Sequence, residues 1–345
     1  MNVSENKQID SLWYTRCPVP TPLGLAAQLG WFNDEFAGDG LTIQTLQDTV
    51  DPALRESHYD HRLPHSFRQG GNVPAIWARA RGADTRVIGL NWVDEAQVIA
   101  VLPDAGIRSP QDLQGRRIGL PRHANSIDHA RAGALRGFQV VLAEAGLQLE
   151  DATAVDLPVA ARSTGAGGGA RGGNAYATEF AALKEGVVDA IFVKGARGLA
   201  AAELNGATII YDIRQHPDPK VRANNGAPRP VTVDAALLQS RPDLVVRFLA
   251  RIVQIGDWAA SHPADTVAYI AKESGSTEGW VRKAYGDDIH LRQGTDLNPA
   301  SIAALEGYKN FLYEAGFLQA DFSVDAWIDP APLAEVQRLL QRLAA

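Results

Sequence analysis

Short apolar runs rich in Val, Ile and aromatic residues recur along the chain, each bounded by Gly, Pro or Asp. "SLWYTR" (11–16), "LTIQTLQ" (41–47), "TRVIGLNWV" (85–93), "AQVIAVL" (96–102), "RRIGLP" (116–121), "DAIFV" (189–193) and "ATIIYDI" (207–213) have the length and residue types of sheet strands. Between them, apolar positions recur with helical spacing. This predicts helices over 22–36 ("PLGLAAQLGWFNDEF"), 126–146 ("SIDHARAGALRGFQVVLAEAG") and 179–186 ("EFAALKEG"). From "PDLVVRFLARIVQIGDWAASH" (242–262) to "PLAEVQRLLQRLAA" (332–345) the pattern is almost wholly helical. Strands alternating with helices predict an α/β protein with parallel sheets covered by helices.

The phrase "GIRSPQDLQGRRIGLP" (106–121) marks a fresh sheet. Ser109, Pro110 and Asp112 start a short helix, a glycine stops it, and a new strand follows. This phrase resembles the opening of the second lobe in type II periplasmic-binding-protein folds. "LKEGVVDAIFV" (183–193) is similar to the helix, Gly-x-x-Asp-Ala turn and strand found late in that lobe, and "LLQSRPDLVVRFLARIVQIGDWAASHP" to the helical return into the first. The resemblance implies two lobes, each a mainly parallel sheet flanked by helices, with a ligand cleft between them. Lobe one then takes residues 1–95 plus 214–345 and lobe two residues 96–213. Ligands in such folds bind outside the carboxyl ends of the strands. The glycine-dominated stretch "STGAGGGARGGNA" (163–175) lacks the strand-then-"GKS" context of a phosphate loop. It reads as a mobile surface loop, and beside a cleft such a loop can act as a lid.

A length of 345 residues suits two lobes better than a single core. Apolar residues at 46% and charged residues at 21% are those of an ordinary soluble globular protein. A net charge of −7 argues against nucleic acid or an anionic membrane as a partner. No run approaches the ~18 apolar residues of a membrane span. The first twenty residues hold neither a charged segment leading into an apolar run nor an A-x-A site. A cytoplasmic location is therefore expected. One cysteine makes an internal disulfide impossible.

That cysteine, Cys17, lies in "YTRCPVPTP" (14–22). It reads either as a small buried hydrophobe or as a thiol used in chemistry. At the end of the first strand it would face the cleft, close to the helix-start N–H groups, which carry about half a positive charge. Pro18, Pro20 and Pro22 stiffen this turn. A second stretch, "ESHYDHRLPHSFRQGGNVPAIWARARG" (56–82), carries His58, His61, His65, Arg68 and Gly70–Gly71. His61 and His65 have the spacing of a helical zinc pair. Pro64 between them, and the lack of a Glu beside His61, argue against a metal site. "FRQGG" offers a guanidinium followed by backbone that an oxyanion can approach closely. Taken alone, Arg68 also reads as a solvated surface arginine.

Together, "LWYTRCPVP", then His58, then Arg68 ahead of Gly70–Gly71 resemble the aromatic sulfinate desulfinase family (2'-hydroxybiphenyl-2-sulfinate desulfinase-like) of the dibenzothiophene-desulfurising pathway. The resemblance implies a cysteine-dependent hydrolase that cleaves the C–S bond of an aryl sulfinate and releases sulfite, with neither cofactor nor metal. It implies catalytic roles for Cys17, His58 and Arg68, and substrate contacts from Thr15, Tyr59, Gly70 and Gly71. Thr15 keeps a hydroxyl where that family has serine, and a monomer is expected. The sequence departs from the family after "VDAIFV", where "VKGARGLAAAEL" puts Lys194 and Arg197 in place of an aromatic wall. Tyr59, Phe67 and Trp92 remain as candidate pocket aromatics, and a smaller or more polar sulfinate fits this composition. Cys17 could act as a nucleophile on sulfur or as the acid that protonates carbon. The alternative is a solute-binding protein, of ABC-transporter type or cytoplasmic, that takes a sulfonate- or sulfinate-like anion without catalysis. A ligand sensor shares that chemistry. The pyrimidine synthases of thiamine biosynthesis share the fold, but they use a cysteine-rich iron-binding stretch, which one cysteine cannot supply.

Overall fold

The computed structural model describes residues 9–159 and 175–344. The first part of the chain forms β1 (Ser11–Arg16), α1 (Pro22–Gln28), α2 (Trp31–Phe36), β2 (Thr42–Thr45), α3 (Pro52–Asp60), β3 (Ser66–Gln69), α4 (Asn72–Ala80) and β4 (Thr85–Asn91). A crossing over 92–96 leads to β5 (Gln97–Val101), β6 (Arg117–Arg122), α5 (His129–Glu144), β7 (Thr153–Pro158), α6 (Ala177–Lys184), β8 (Ala190–Lys194), α7 (Gly195–Leu204) and β9 (Thr208–Asp212). The chain returns through α8 (Pro219–Arg222) to β10 (Arg229–Asp234) and α9 (Ala235–Ser240). It closes with α10 (Pro242–Ser261), α11 (Pro263–Ser274), α12 (Glu278–Tyr285), α13 (Pro299–Glu314), α14 (Val324–Trp327) and α15 (Ala331–Ala344).

Two five-stranded sheets result, in the orders β2-β1-β3-β10-β4 and β7-β6-β8-β5-β9. In each, the strand entered from a crossing is the one that pairs antiparallel: β10 between β3 and β4, β5 between β8 and β9. In the first sheet, β2 and β3 flank β1 on opposite sides. The carboxyl ends of β1 and β3 therefore bound a crevice at the point where the strand order reverses, the place such sheets keep for ligands.

The first sheet is fixed to the C-terminal helices by a stack of rings. Phe248 of α10 lies between Phe32 and Phe67, 4.0 and 3.9 Å away, with all three planes nearly parallel. Burying one such side chain stabilises by roughly 1.5–3 kcal/mol. This placement corrects the expectation for Phe67, which is fully buried in the core and does not line a pocket. In the second sheet Phe138 and Phe192 fill the space between α5 and β8.

Other differences from the sequence pattern have physical causes. The helix expected over 22–36 is two helices, because Gly30 takes φ 79°, a left-handed conformation that stops α1 and starts α2 at a new angle. The strands β3, β7 and β10 fall outside the expected set. β3 places Arg68 and Gln69, and β10 places Arg229 and Thr232, at fully buried positions that the hydrophobic pattern reads as polar. The expected helix start at Ser109–Asp112 is closed by a capping box, with Asp112 Oδ2 accepting from the Ser109 N–H at 3.0 Å. The glycine-rich stretch 163–175, apart from Ala175, lies outside the described residues. Among the described residues no helix is long and apolar enough to cross a membrane.

Candidate active site

The parallel register pairs Thr15 with Arg68 and Arg16 with Gln69. One step further, the Cys17 N–H donates to the Gln69 carbonyl (3.3 Å), and the Cys17 carbonyl accepts from the Val19 N–H (2.8 Å). This tight turn at Pro18 brings the sulfur against Gly70. A Cβ at position 70 would lie 2.2 Å from Cys17 Sγ, so only glycine fits. Cys17 is half-buried among polar groups. The expected support from the following helix is mostly used elsewhere: in α1 the Leu23 N–H donates to Gln69 Oε1 (2.8 Å) and the Gly24 N–H to Thr21 Oγ1 (3.0 Å). The groups that reach the sulfur are His58 and Arg68.

His58 lies in the last turn of α3. "DPALRESHYD" starts that helix with Asp51 as cap, its Oδ1 accepting from the Ala53 N–H at 2.8 Å, and Pro52 at the first position. His58 Nε2 is 3.6 Å from Cys17 Sγ and its Nδ1 is 2.7 Å from Thr15 Oγ1. Gln47 Nε2 donates to Thr15 Oγ1 (3.3 Å) and to the Arg16 carbonyl (2.6 Å). A chain of polar contacts thus runs Gln47–Thr15–His58–Cys17 and holds the imidazole in one orientation. Thr15, at 3% exposure, contacts His58. Burial, reinforced by the Arg68 charge, pushes the His58 pKa down to about 3, so the ring is neutral near pH 7.

Arg68 completes the cluster. Its Nη2 donates to Cys17 Sγ (3.7 Å) and its Nε to the His58 carbonyl (3.2 Å) at the C-terminal end of α3, where cations are favoured. The residue is 2% exposed and makes no ion pair with a carboxylate among the described residues, and Nη1 has no hydrogen-bond acceptor. Burial works against this charge while the neighbouring Cys17 and Tyr59 work for it. A buried guanidinium in that condition favours an anion beside it.

The ring of Tyr59 stands edge-on to His58 (5.0 Å, 89°) and lies roughly parallel to His129 (6.4 Å, 27°), which starts α5 on the other sheet. Its phenol is pushed up by burial and by Cys17. Gly71 is held against Asn225, whose carbonyl and Oδ1 accept from the N–H groups of Asn72 (3.0 Å) and Val73 (3.1 Å) at the start of α4. Trp92 donates to Asp94 (2.9 Å) and is covered by the Arg222 guanidinium, so it is tied up at the crossing. His61 ends α3 with φ 55° and His65 has φ 54°, so the pair shares no helical face. Among the described residues no group of three or more His, Cys, Asp or Glu could hold a metal ion. Sequence reasoning missed Gln47, Asn225 and His129. Only "DP" at 51–52, a helix-start signal ahead of His58, could have placed the histidine on a helix.

A family model described as "NMT1/THI5 like" matches residues 18–165. The chain is 26% identical over 352 residues to 2'-hydroxybiphenyl-2-sulfinate desulfinase of Rhodococcus erythropolis, covering 93% of this chain and 92% of that protein. Among solved structures, a mutant of DSZB in complex with biphenyl-2-sulfinic acid aligns with a TM-score of 0.77 at 24% identity, over 96% of this chain and 99% of that one. The periplasmic aliphatic sulphonate binding protein SsuA from Escherichia coli aligns with a TM-score of 0.65 at 18% identity, over 93% and 92%. The chain is homologous along nearly its whole length to 2'-hydroxybiphenyl-2-sulfinate desulfinase and has the two-sheet fold shared by DSZB and SsuA-type binding proteins.

Proposed function

We propose that this protein is a desulfinase that hydrolyses the C–S bond of an aryl sulfinate and releases sulfite. The observation that carries the reading is the meeting of one thiol, one imidazole and one buried guanidinium that pairs with no carboxylate among the described residues. Homology to 2'-hydroxybiphenyl-2-sulfinate desulfinase supports it. The reaction, ArSO2⁻ + H2O → ArH + HSO3⁻, involves no net oxidation or reduction and so calls for no redox cofactor.

Arg68 and the Gly70–Gly71 backbone hold the sulfinate oxygens and offset their charge. The carbon must gain a proton as sulfur leaves. His58, neutral with a pKa of about 3, is a poor donor, and a thiolate attacking sulfur would bring two anions together and still leave the carbon without a proton. Cys17 therefore gives its thiol proton to the ipso carbon. The C–S bonding pair becomes the C–H bond, SO2 departs, and the new thiolate is stabilised by Arg68. Water adds to SO2 to give HSO3⁻ and H⁺, and His58 Nε2 returns that proton to the sulfur. Thr15 and Gln47 position the imidazole, and Tyr59 forms part of the wall.

Incubation with benzenesulfinate or biphenyl-2-sulfinate and a sulfite assay tests the reading. Cys17→Ser is expected to lose at least ~10³-fold in kcat while still binding the sulfinate in calorimetry. Intact-mass spectra of the working enzyme should carry no sulfur adduct on Cys17. A protein that binds aryl sulfinates and releases no sulfite would be a binding protein of the SsuA kind.

A further inference from the structure

The Cys17 sulfur is half-buried and has two nitrogens at similar range, Arg68 Nη2 at 3.7 Å and His58 Nε2 at 3.6 Å. The guanidinium is thus turned toward the sulfur. It is 2% exposed, and among the described residues its Nη1 has no acceptor. An oxygen bonded to this sulfur on the guanidinium side comes within hydrogen-bond reach of that free donor.

Oxidation of a cysteine adds such oxygens one at a time, first as a sulfenic acid and then as a sulfinate. The common exit from the first stage is a disulfide with a second thiol. This chain has one cysteine, so that exit is closed within the molecule. The second stage then has only outside thiols to compete with it.

We infer that Cys17 is an oxidation site for hydroperoxides, and that Arg68 both promotes the reaction and holds its product, a cysteine sulfinate. In the first step sulfur attacks one peroxide oxygen, an S–O bond forms and the O–O bond breaks. The departing hydroxide takes the thiol proton and leaves as water. Sulfur gives up two electrons and the peroxide is reduced by them. A second peroxide repeats the step: Cys–SO⁻ + H2O2 → Cys–SO2⁻ + H2O. Negative charge gathers on the departing oxygen each time, and Arg68 Nη1 is the unoccupied donor beside it. The product sets an –SO2⁻ group on the guanidinium that the proposed function gives to the substrate's –SO2⁻, and the enzyme is inhibited by a sulfinate of its own. The modification stands on the geometry alone, whereas the loss of turnover rests on the desulfinase reading.

Hydrogen peroxide added to the purified protein tests the modification. Cys17 is followed by intact mass and by peptide mapping, which separates it from Met1, the other sulfur in the chain. Two oxygens should collect on Cys17, at least ~10-fold more slowly in Arg68→Met than in the parent. Equal rates overturn the inference. A second comparison needs no variant: the folded parent should be oxidised at least ~10-fold faster than the same protein in urea at the same pH. Equal or slower oxidation of the folded form also overturns it. Sulfite release from benzenesulfinate should fall as oxygen is gained, and dithiothreitol should restore it at the one-oxygen stage only. Full turnover by protein carrying two oxygens on Cys17 would overturn the self-inhibition. Fast, Arg68-dependent oxidation in a protein that never releases sulfite refutes the desulfinase reading and leaves the oxidation site standing.

Discussion

Lys309 and Arg68 are buried to nearly the same degree, 1% and 2% exposed, and the protein treats their charges in opposite ways. At the foot of α13, Lys309 bonds Glu306 at 2.9 Å and Asp321, and the charge is fully answered by its own chain. At the mouth of the first sheet, Arg68 meets a sulfur and a carbonyl and keeps one nitrogen without an acceptor. The first arrangement serves stability. Under the proposed function, the second keeps electrostatic attraction in reserve for an incoming anion, and the protein bears the desolvation cost until one binds.

Substituting each cation in turn breaks the comparison most sharply. Arg68→Met should lower kcat/KM for sulfinate by at least ~10³-fold. The same change should leave urea stability unchanged or raise it by about 1–3 kcal/mol, because an unpaired buried charge is removed. Lys309→Met should do the reverse, costing about 1–2 kcal/mol while leaving sulfite release intact. If both variants lose stability alike, Arg68 is structural and the contrast fails.

Gly70→Ala sharpens the point that sulfur and guanidinium are held by backbone proximity. The added methyl has its carbon 2.2 Å from Cys17 Sγ, so the thiol must move. A loss of about 10²-fold in kcat is expected, with about 1–3 kcal/mol of stability, read by sulfite assay and denaturation of the same sample. Normal turnover would mean that the sulfur does not work from this position.

Smaller effects test the imidazole. Thr15→Val keeps the shape and removes the contact to His58 Nδ1, which should lower kcat about tenfold with KM nearly constant. Acid stability reports its burial. Folded His58 and His129 have pKa values of about 3 and about 4, both through burial first, then through Arg68 and Lys194 respectively. Unfolded histidines take up protons near pH 6.5, so the unfolded state binds more protons between pH 6.5 and about 4. Stability contributed by these rings is complete above that window and declines through it as pH falls, by up to about 1.4 kcal/mol per unit for each ring. Urea midpoints measured at pH 7 and 4.5 should differ less in His129→Gln than in the parent, and an equal difference would place that ring in water.

The alternation of strands and helices was readable from the spacing of apolar residues, since a period near two or 3.6 is local and survives any later packing. Cys17 was conspicuous as the lone thiol in a proline-stiffened turn. β3 and β10 were not readable, because their buried positions carry Arg68, Gln69, Arg229 and Thr232, whose polarity hides them from a hydrophobic pattern. Phe67 was misjudged for the converse reason: next to Arg68 in sequence, it points to the other face of the strand and into the stack with Phe248.

By itself the sequence determined the two-sheet α/β architecture and the kinds of group available for chemistry, because helix and strand periods are properties of neighbours along the chain. Only the tertiary structure decided which groups meet. The β1–β3 register sets Cys17 beside an arginine 51 positions away, and α3 turns His58 onto the same sulfur. It also decided which charges stay unanswered among the described residues: Lys309 finds carboxylates in space, Arg68 does not, and electrostatic energy depends on distance through the fold and on burial.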